Sequence, residues 1–291
     1  MTVRVYVNGA IGDQSSAVIS IFDRGFLYGD SVYEVLRTAG GHPVDFDRHL
    51  DRLGRSASAI MLALPDDARI RGAVAETLQA AGNPESYIRI VVTRGAGRIA
   101  LDLDAADTPS LIVIVSDLKM PRAELYTQGA TIAIVGVERT SRRAVDPAVK
   151  SGNYLNSILA LAEAQRRGAY EALMLGPDGR VAEGSTSNVF AVRGGRLTTP
   201  TLTTGILAGI TRQRVIELAR AAGLEAGEGD LYPDDLHGSD EVFITSSIRG
   251  VMPVTRVDDA TISSGTPGPV TRKLMDAWDG FIASVAIGTG S

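Results

Sequence analysis

Two runs with helical apolar spacing stand between strand-length alternations in the first part of this chain, and that order calls for a sheet with helices laid on it. The first helical run starts at Asp47, a residue type suited to N-capping, and its apolar side is Leu50, Leu53, Ala57, Ile60 and Met61. Pro65 separates it from a second run, 66–81, with Ile70, Val74 and Leu78 inward. Ahead of them, Val3 to Val7 alternates and ends at Asn8-Gly9, a hairpin signal, and a return strand is expected at 17–21. Further strands are expected at 32–38, with a short partner at 44–46, and at 87–93 and 111–115. Residues 1–118 therefore read as a small N-terminal domain, an antiparallel sheet with two helices.

Residues 119–128 lack a clean period, include Pro121, and read as an interdomain loop. A larger domain, 129–291, follows. Its strands are expected at 131–137, 171–175, 181–183, 187–192, 242–244 and 251–257. A helix is expected from about Asn153 with Leu155, Ile158, Leu159 and Ala162 on its apolar side, another over 209–222, and a last one after Pro267. The tail, 286–291, is expected to be loose. The class is α+β.

Composition narrows the chemistry. A 44% hydrophobic content supports a well-buried core, and a net charge of −5 with both signs interspersed offers no basic block to a nucleic acid. With no cysteine there are no disulfides or thiolate metal sites. His42, His49 and His237 are scattered without metal-ligand spacing, so no metal is expected. The N-terminus reads as a strand, and no apolar run approaches the roughly 18 residues of a membrane span. A soluble, cytoplasmic protein without a membrane partner is expected.

One residue type is conspicuously scarce. Lys119, Lys150 and Lys273 are the only lysines, against 26 arginines. Arginine keeps its proton near neutral pH and so cannot act as an amine nucleophile; lysine can. From position alone Lys150 reads as a solvated cation ahead of a helix. The alternative is a carbonyl-capturing amine, and the neighbouring motifs favour it. Lys119 falls in the interdomain loop and Lys273 reads as a surface cation.

Six stretches occur in a set order: YGDSVYEVLR at 28–37, HLDRL at 49–53, KSGNYLNS at 150–157, EGSTSNVF at 183–190, LAGITR at 207–212 and TSSIRGVMPV at 245–254. Together they resemble the class IV (fold type IV) pyridoxal-phosphate aminotransferases, the group holding D-amino-acid aminotransferases, branched-chain aminotransferases and aminodeoxychorismate lyases. The resemblance covers nearly the whole chain and implies a C-terminal domain with a pseudo-barrel of mixed strands.

It also implies roles. Pyridoxal phosphate has an aldehyde, a pyridine nitrogen, a phenolic oxygen and a phosphate, each needing a partner. The resemblance puts Lys150 on the aldehyde as a Schiff base and as the catalytic proton carrier. Free lysine has a pKa near 10.4, so such a site must favour its neutral or bonded form. Glu183 falls on the pyridine nitrogen and Tyr154 near the phenolic oxygen, with Asn188 ordering the loop around Glu183. Arg52 falls on the phosphate, helped by backbone N–H groups at Gly209, Ile210 and Thr211, where a helix start favours an anion, and by Ser246 and Ser247. Leu207 belongs to the same cofactor set.

The reaction implied is ping-pong transamination between amino acids and keto acids such as 2-oxoglutarate or pyruvate. Substrate contacts are expected from Tyr28, Tyr33, Val35, Arg37, Arg89, Arg98, Ile248 and Arg249. Tyr33-Glu34-Val35 resembles the D-amino-acid enzymes, where branched-chain members usually read Phe-Glu-Gly. Arg37 and Arg89 match arginines of the branched-chain group. The D-amino-acid enzymes carry an arginine and then a histidine after a TRG segment; here Thr93-Arg94-Gly95 leads to Arg98 with no histidine after it. A D-amino-acid transaminase is the favoured expectation, with a branched-chain L-amino-acid transaminase and a lyase releasing pyruvate as alternatives. Primary-amine activity could accompany either transaminase. A homodimer is expected, with loop 94–98 reaching the neighbouring subunit's site.

Overall fold

The computed structural model describes residues 2–106 and 108–288. The chain forms two compact units, residues 1–119 with 149–153 and 282–291, and residues 120–148 with 154–281. The expected boundaries therefore shift. The segment carrying Lys150 and the end of the last helix belong to the first unit, and most of the expected interdomain loop belongs to the second.

In the first unit the elements are β1 (Arg4–Val7), β2 (Ala10–Gly12), α1 (Arg24–Tyr28), β3 (Ser31–Ala39), β4 (His42–Pro43), α2 (Phe46–Ala59), α3 (Asp67–Ala81), β5 (Ser86–Thr93) and β6 (Ser110–Asp117). The six strands form one antiparallel sheet in the order β2-β1-β6-β5-β3-β4. The return strand lies at 10–12 rather than 17–21. Asn8 and Gly9 both have positive φ, which makes the tight two-residue turn that brings the chain straight back. The residues expected in that strand instead expose Val18, Ile19 and Ile21. Helix α2 starts one residue before Asp47, after a left-handed Asp45 whose side chain makes no cap bond.

Alternation along β3 and β5 sorts their side chains onto two faces. Val32, Leu36, Ile88, Ile90 and Val92 join Leu50, Leu53, Ile70 and Val74 of α2 and α3 in the core, where each buried aliphatic side chain contributes roughly 1.5–3 kcal/mol over exposure. Tyr33, Val35 and Arg37, opposite Val91, Arg89 and Tyr87, take the other face.

The second unit holds α4 (Glu124–Thr127), β7 (Ala130–Ile134), α5 (Leu155–Arg166), β8 (Glu171–Leu175), β9 (Val181–Gly184), β10 (Asn188–Arg193), β11 (Arg196–Pro200), α6 (Ile210–Ala221), β12 (Ala226–Gly229), α7 (Pro233–His237), β13 (Glu241–Ser246), β14 (Gly250–Val257) and β15 (Ala260–Thr261). Most of α8 (Pro269–Ala286) belongs here as well. The mixed sheet runs β12-β11-β10-β13-β14-β7-β8-β9, with β15 on β14. Strand β9 closes back against β10 and β11, so the sheet curls on itself as the expected pseudo-barrel. Val189, Ala191, Val242, Ile244 and Met252 fill one face with Leu231 and Leu236. The rings of Phe190 and Phe243 stack at 4.8 Å on the other.

Helix α5 corrects its expected orientation. Ala160 and Ala164 are its buried residues and pack with Ala133, Ala172 and Met174, because small side chains let a helix sit close to a sheet. Leu155, Ile158 and Leu159 are exposed, at 66%, 56% and 52%. The expectation for the tail falls partly outside the described residues, at 289–291. Among the described residues, no helix is long and apolar enough to cross a membrane.

Candidate active site

On the first unit the site grows from the junction of β3 and α2. Residues 149–153 run beside β3. Tyr33 N–H donates to the Lys150 carbonyl at 3.0 Å and Gly152 N–H to the Ser31 carbonyl at 3.0 Å. From the other side, Lys150 N–H donates to Ser56 Oγ of α2 at 3.1 Å. Both backbone groups of Lys150 are thus fixed. Its Nζ lies 4.5 Å from the centroid of the Tyr33 ring, a buried aromatic face that attracts a cation. Arg89 approaches the same ring at 4.5 Å. Lys119 and Lys273 are both exposed, and Lys273 Nζ merely bonds the Ala222 carbonyl at the end of α6. Of the three lysines, Lys150 alone has its backbone fixed at both ends and its amine against a buried ring.

Tyr33 and Glu34 are neighbours on β3 and so face opposite ways. Glu34 points to α2 and is fully buried. Its Oε1 accepts from Arg52 Nε, and its Oε2 from Arg52 Nη2, each at 2.7 Å, while His49 Nδ1 lies 2.7 Å from Oε2. Burial works against the charge on Glu34, but the Arg52 guanidinium and then His49 outweigh it and hold the carboxyl down at about 2. Arg52 is therefore no solvated arginine; it is held in a two-pronged pair.

The remaining substrate candidates on this unit are spread. Val35, Arg37 and Arg89 share the half-buried face with Tyr33. Tyr28 ends α1, its ring 5.2 Å from the Arg24 guanidinium. Arg98 is 69% exposed beside Asp104. Arg94 is buried, bonded to Asp30 and to the Ile60 and Met61 carbonyls.

On the second unit the nearly buried Glu183 carboxylate accepts from three donors. Arg139 Nε reaches Oε1 at 2.8 Å, and Asn188 Nδ2 and Leu207 N–H reach Oε2 at 3.3 and 3.0 Å. Asn188 Nδ2 also donates to the Leu207 carbonyl at 3.0 Å. A Cβ on Gly209 would stand 2.0 Å from Asn188 Oδ1, so this glycine lets the start of α6 lie directly on Asn188. Gly209 is the N-cap of α6 and makes no side-chain cap bond, so the first N–H groups of Ile210, Thr211 and Arg212 open the helix without that cover. Ser246 ends β13 and Ser247 opens the turn after it, both half-buried, and Ser246 Oγ accepts Arg249 N–H at 3.3 Å. Tyr154, half-buried, is the N-cap of α5.

Ile248 is half-buried in that turn, but Arg249 is committed within the unit. Nε bonds Tyr170 Oη at 3.1 Å, Nη1 bonds Glu171 Oε2 at 2.9 Å and Nη2 bonds Thr186 Oγ1 at 2.9 Å. Burial disfavours its charge, yet Glu171 and then Tyr170 raise its pKa above the ordinary arginine value. Glu171, fully buried, also accepts from Ser185, Thr186 and Ser187, which tethers the loop between Glu183 of β9 and Asn188 of β10.

The model of the family described as amino-transferase class IV matches residues 31–257. The chain belongs to the class IV aminotransferases. It is 38% identical over 275 residues to a putative branched-chain-amino-acid aminotransferase of Methanocaldococcus jannaschii, covering 94% of each chain. It is 34% identical over 283 residues to a D-alanine aminotransferase of Bacillus licheniformis, covering 97% of this chain and 98% of that one. The solved branched-chain amino acid aminotransferase of Thermobaculum terrenum in its PLP form is similar at TM-score 0.84 and 28% identity, over 98% of this chain and 94% of that one.

This class IV aminotransferase uses pyridoxal phosphate and moves amino groups between amino acids and keto acids. Its residues fit that group. The Glu183 carboxylate, accepting from Arg139, Asn188 and the Leu207 N–H, suits a protonated ring nitrogen, and the N-terminus of α6 packed on Asn188 suits a phosphate. Reading the sequence missed Glu34, Ser56, Arg139 and Glu171. Arg139 lies close to the arginines at 142 and 143, and nothing in the sequence singled it out. Glu34 stood inside a recognised motif with an alternation that placed it on the core side, a signal available in advance.

Proposed function

We propose that this aminotransferase takes its amino group from a D-amino acid and passes it to a keto acid such as 2-oxoglutarate or pyruvate. The commitment of Arg249 to Glu171, Tyr170 and Thr186 carries this reading. It removes one cation from the search for a substrate-carboxylate grip and favours the face of Tyr33, Val35, Arg37 and Arg89, where Val35 resembles the D-amino-acid enzymes. Since the carboxylate grip decides which way round a substrate lies, it decides the enantiomer. Arg37 and Arg89 also match the branched-chain group, and a relative at 38% identity bears that name; a branched-chain L-amino-acid donor is the second reading.

Pyridoxal phosphate supplies the electron sink that stabilises negative charge at the substrate Cα. Lys150 would hold the cofactor through its aldehyde, and its amine would be the group that carries the proton to and from the substrate Cα. Glu183 would face the protonated ring nitrogen, and Arg139 orients that carboxylate. Tyr154 would meet the phenolic oxygen. Arg52, the N–H groups at Gly209, Ile210 and Thr211, and Ser246 and Ser247 would hold the phosphate.

Purified holoenzyme with 2-oxoglutarate or pyruvate, offered L-leucine, D-alanine, D-glutamate and (R)-1-phenylethylamine, tests the donor. A D-amino acid is expected to give the highest kcat/KM; a tenfold advantage for L-leucine overturns the reading. The protein acts as a homodimer in this proposal. The exposed Leu155, Ile158 and Leu159 of α5 and the exposed Ile21, Phe22 and Phe26 support it, as apolar surface that a second copy would cover. Exposed Arg98 carries loop 94–98 to the neighbour. Light scattering that shows an active monomer at assay concentration overturns the dimer.

A further inference from the structure

The buried acid on β3 has no part in the roles assigned so far. Glu34 occupies a core-facing position between Val32 and Leu36 and is fully buried. An apolar residue of similar size would serve stability as well or better, because a buried ion pair often does no more than recover its own desolvation cost. What the carboxylate does provide is direction. The edge of the Arg52 guanidinium formed by Nε and Nη2 lies flat on both Glu34 oxygens, 2.7 Å from each, and two parallel bonds remove the swivel that one would permit. His49, three residues earlier on α2, meets the same Oε2 at 2.7 Å and braces the acid from a second side. One turn further along α2, Ser56 holds the Lys150 N–H. One face of one helix therefore sets both the arginine and the lysine.

We propose that Glu34 is a positioning residue for phosphate binding: it fixes the plane of the Arg52 guanidinium so that the remaining N–H groups meet the cofactor phosphate without reorganisation. This rests on the reading of Arg52 as a phosphate contact. Three of the five N–H donors of Arg52 lie outside the pair with Glu34. A rigid arginine binds an anion at lower entropic cost than a mobile one.

The test compares pyridoxal phosphate with pyridoxal, which has the same ring and aldehyde but no phosphate. Apoenzyme is reconstituted with each, and the ratio of the two dissociation constants reports the phosphate contribution alone. In Glu34→Gln the ratio is expected to fall about tenfold, the worth of one charge-assisted contact, with pyridoxal affinity little changed. Arg52→Gln is expected to lower it at least as far, and the double variant no further than Arg52→Gln, since Glu34 acts through Arg52. Glu34→Asp keeps the charge but withdraws it by one methylene; it guards against misfolding of the amide variant and is expected to lower the ratio by a smaller factor. If Glu34→Gln weakens both cofactors equally while Arg52→Gln lowers the ratio, Glu34 is a packing residue and the inference falls while the phosphate role of Arg52 stands. An unchanged ratio in Arg52→Gln overturns that role and the inference together. Glu34→Asp leaving the ratio at the wild-type value also overturns it.

Discussion

The main-chain N–H of Lys150 is held by the side-chain oxygen of Ser56, 94 residues earlier, at 3.1 Å. Ser56 is buried on α2, and this bond with the one from Tyr33 N–H fixes the lysine's backbone on both sides. Ser56→Ala removes one hydrogen bond, worth about 1 kcal/mol of stability. Its larger effect falls on chemistry, because a small displacement of a reacting group is costly. A drop in kcat of about tenfold is expected with Lys150 still trapped by borohydride, read by mass spectrometry.

Arg139 and Glu183 form the second testable pair. In Arg139→Gln the acid loses this cationic hydrogen-bond donor and keeps Asn188 and the Leu207 N–H. The carboxylate then has one donor fewer to orient it toward the ring nitrogen it would face. A fall in kcat by about tenfold and a shift in the pH dependence of the visible absorbance of bound cofactor are expected. Glu183→Gln removes the charge outright and is expected to cost at least about a hundredfold in kcat.

Two glycines give opposite expectations. Gly209 has an ordinary φ of −65, so alanine there meets no backbone strain, but its Cβ would strike Asn188 Oδ1. Gly209→Ala is expected to weaken cofactor binding by about tenfold with little change in fold, as measured by equilibrium dialysis and circular dichroism. Gly72, inside α3, has nothing within 4 Å of its would-be Cβ. Gly72→Ala is expected to raise stability by up to about 1 kcal/mol.

Arg249→Ala strands the fully buried Glu171. Ser185, Thr186 and Ser187 still bond that carboxylate, so the loss is expected near the lower end of the range for a broken buried pair, about 3 kcal/mol in urea unfolding. The ratio of D- to L-donor activity is expected to stay as it is in the folded fraction. A large change in that ratio would return Arg249 to the substrate.

Acid stability follows from Glu34. Its folded pKa, about 2, lies below the ordinary value of 4.5, so the group's contribution is fully present above about pH 4.5 and is lost as pH falls toward 2. The urea midpoint is expected to drop across that window, and Glu34→Gln is expected to flatten the slope.

Much of this molecule was readable in advance, and the misses share a cause. Strands β1, β3, β5 and β6 of the first unit and α3 lie close to where alternation and apolar spacing put them, because one face of each is buried, whereas β2 lies well ahead of its expected place. The motif residues Lys150, Glu183, Asn188 and Gly209 each have a defined neighbour in the structure: Ser56, Arg139, Glu183 and Asn188 respectively. Orientation was harder. The Leu155, Ile158 and Leu159 side of α5 has the spacing of a core face, yet the alanines occupy the core, since periodicity reports that a face is apolar and not what will cover it. Ser56 and Arg139 were missed because each acts through a partner distant in the chain, on which local spacing is silent.

The back-to-back placement of Tyr33 and Glu34 on β3 has an evolutionary corollary. Inserting or deleting one residue upstream within that strand would reverse both at once, sending the aromatic ring toward the aliphatic interior and the acid away from its arginine. Descendants of this chain can substitute along the strand and can lengthen the turn at Gly40-Gly41 that joins it to β4. Indels between Ser31 and Leu36 are closed to them, and natural length variation in this lineage is expected to cluster outside that window.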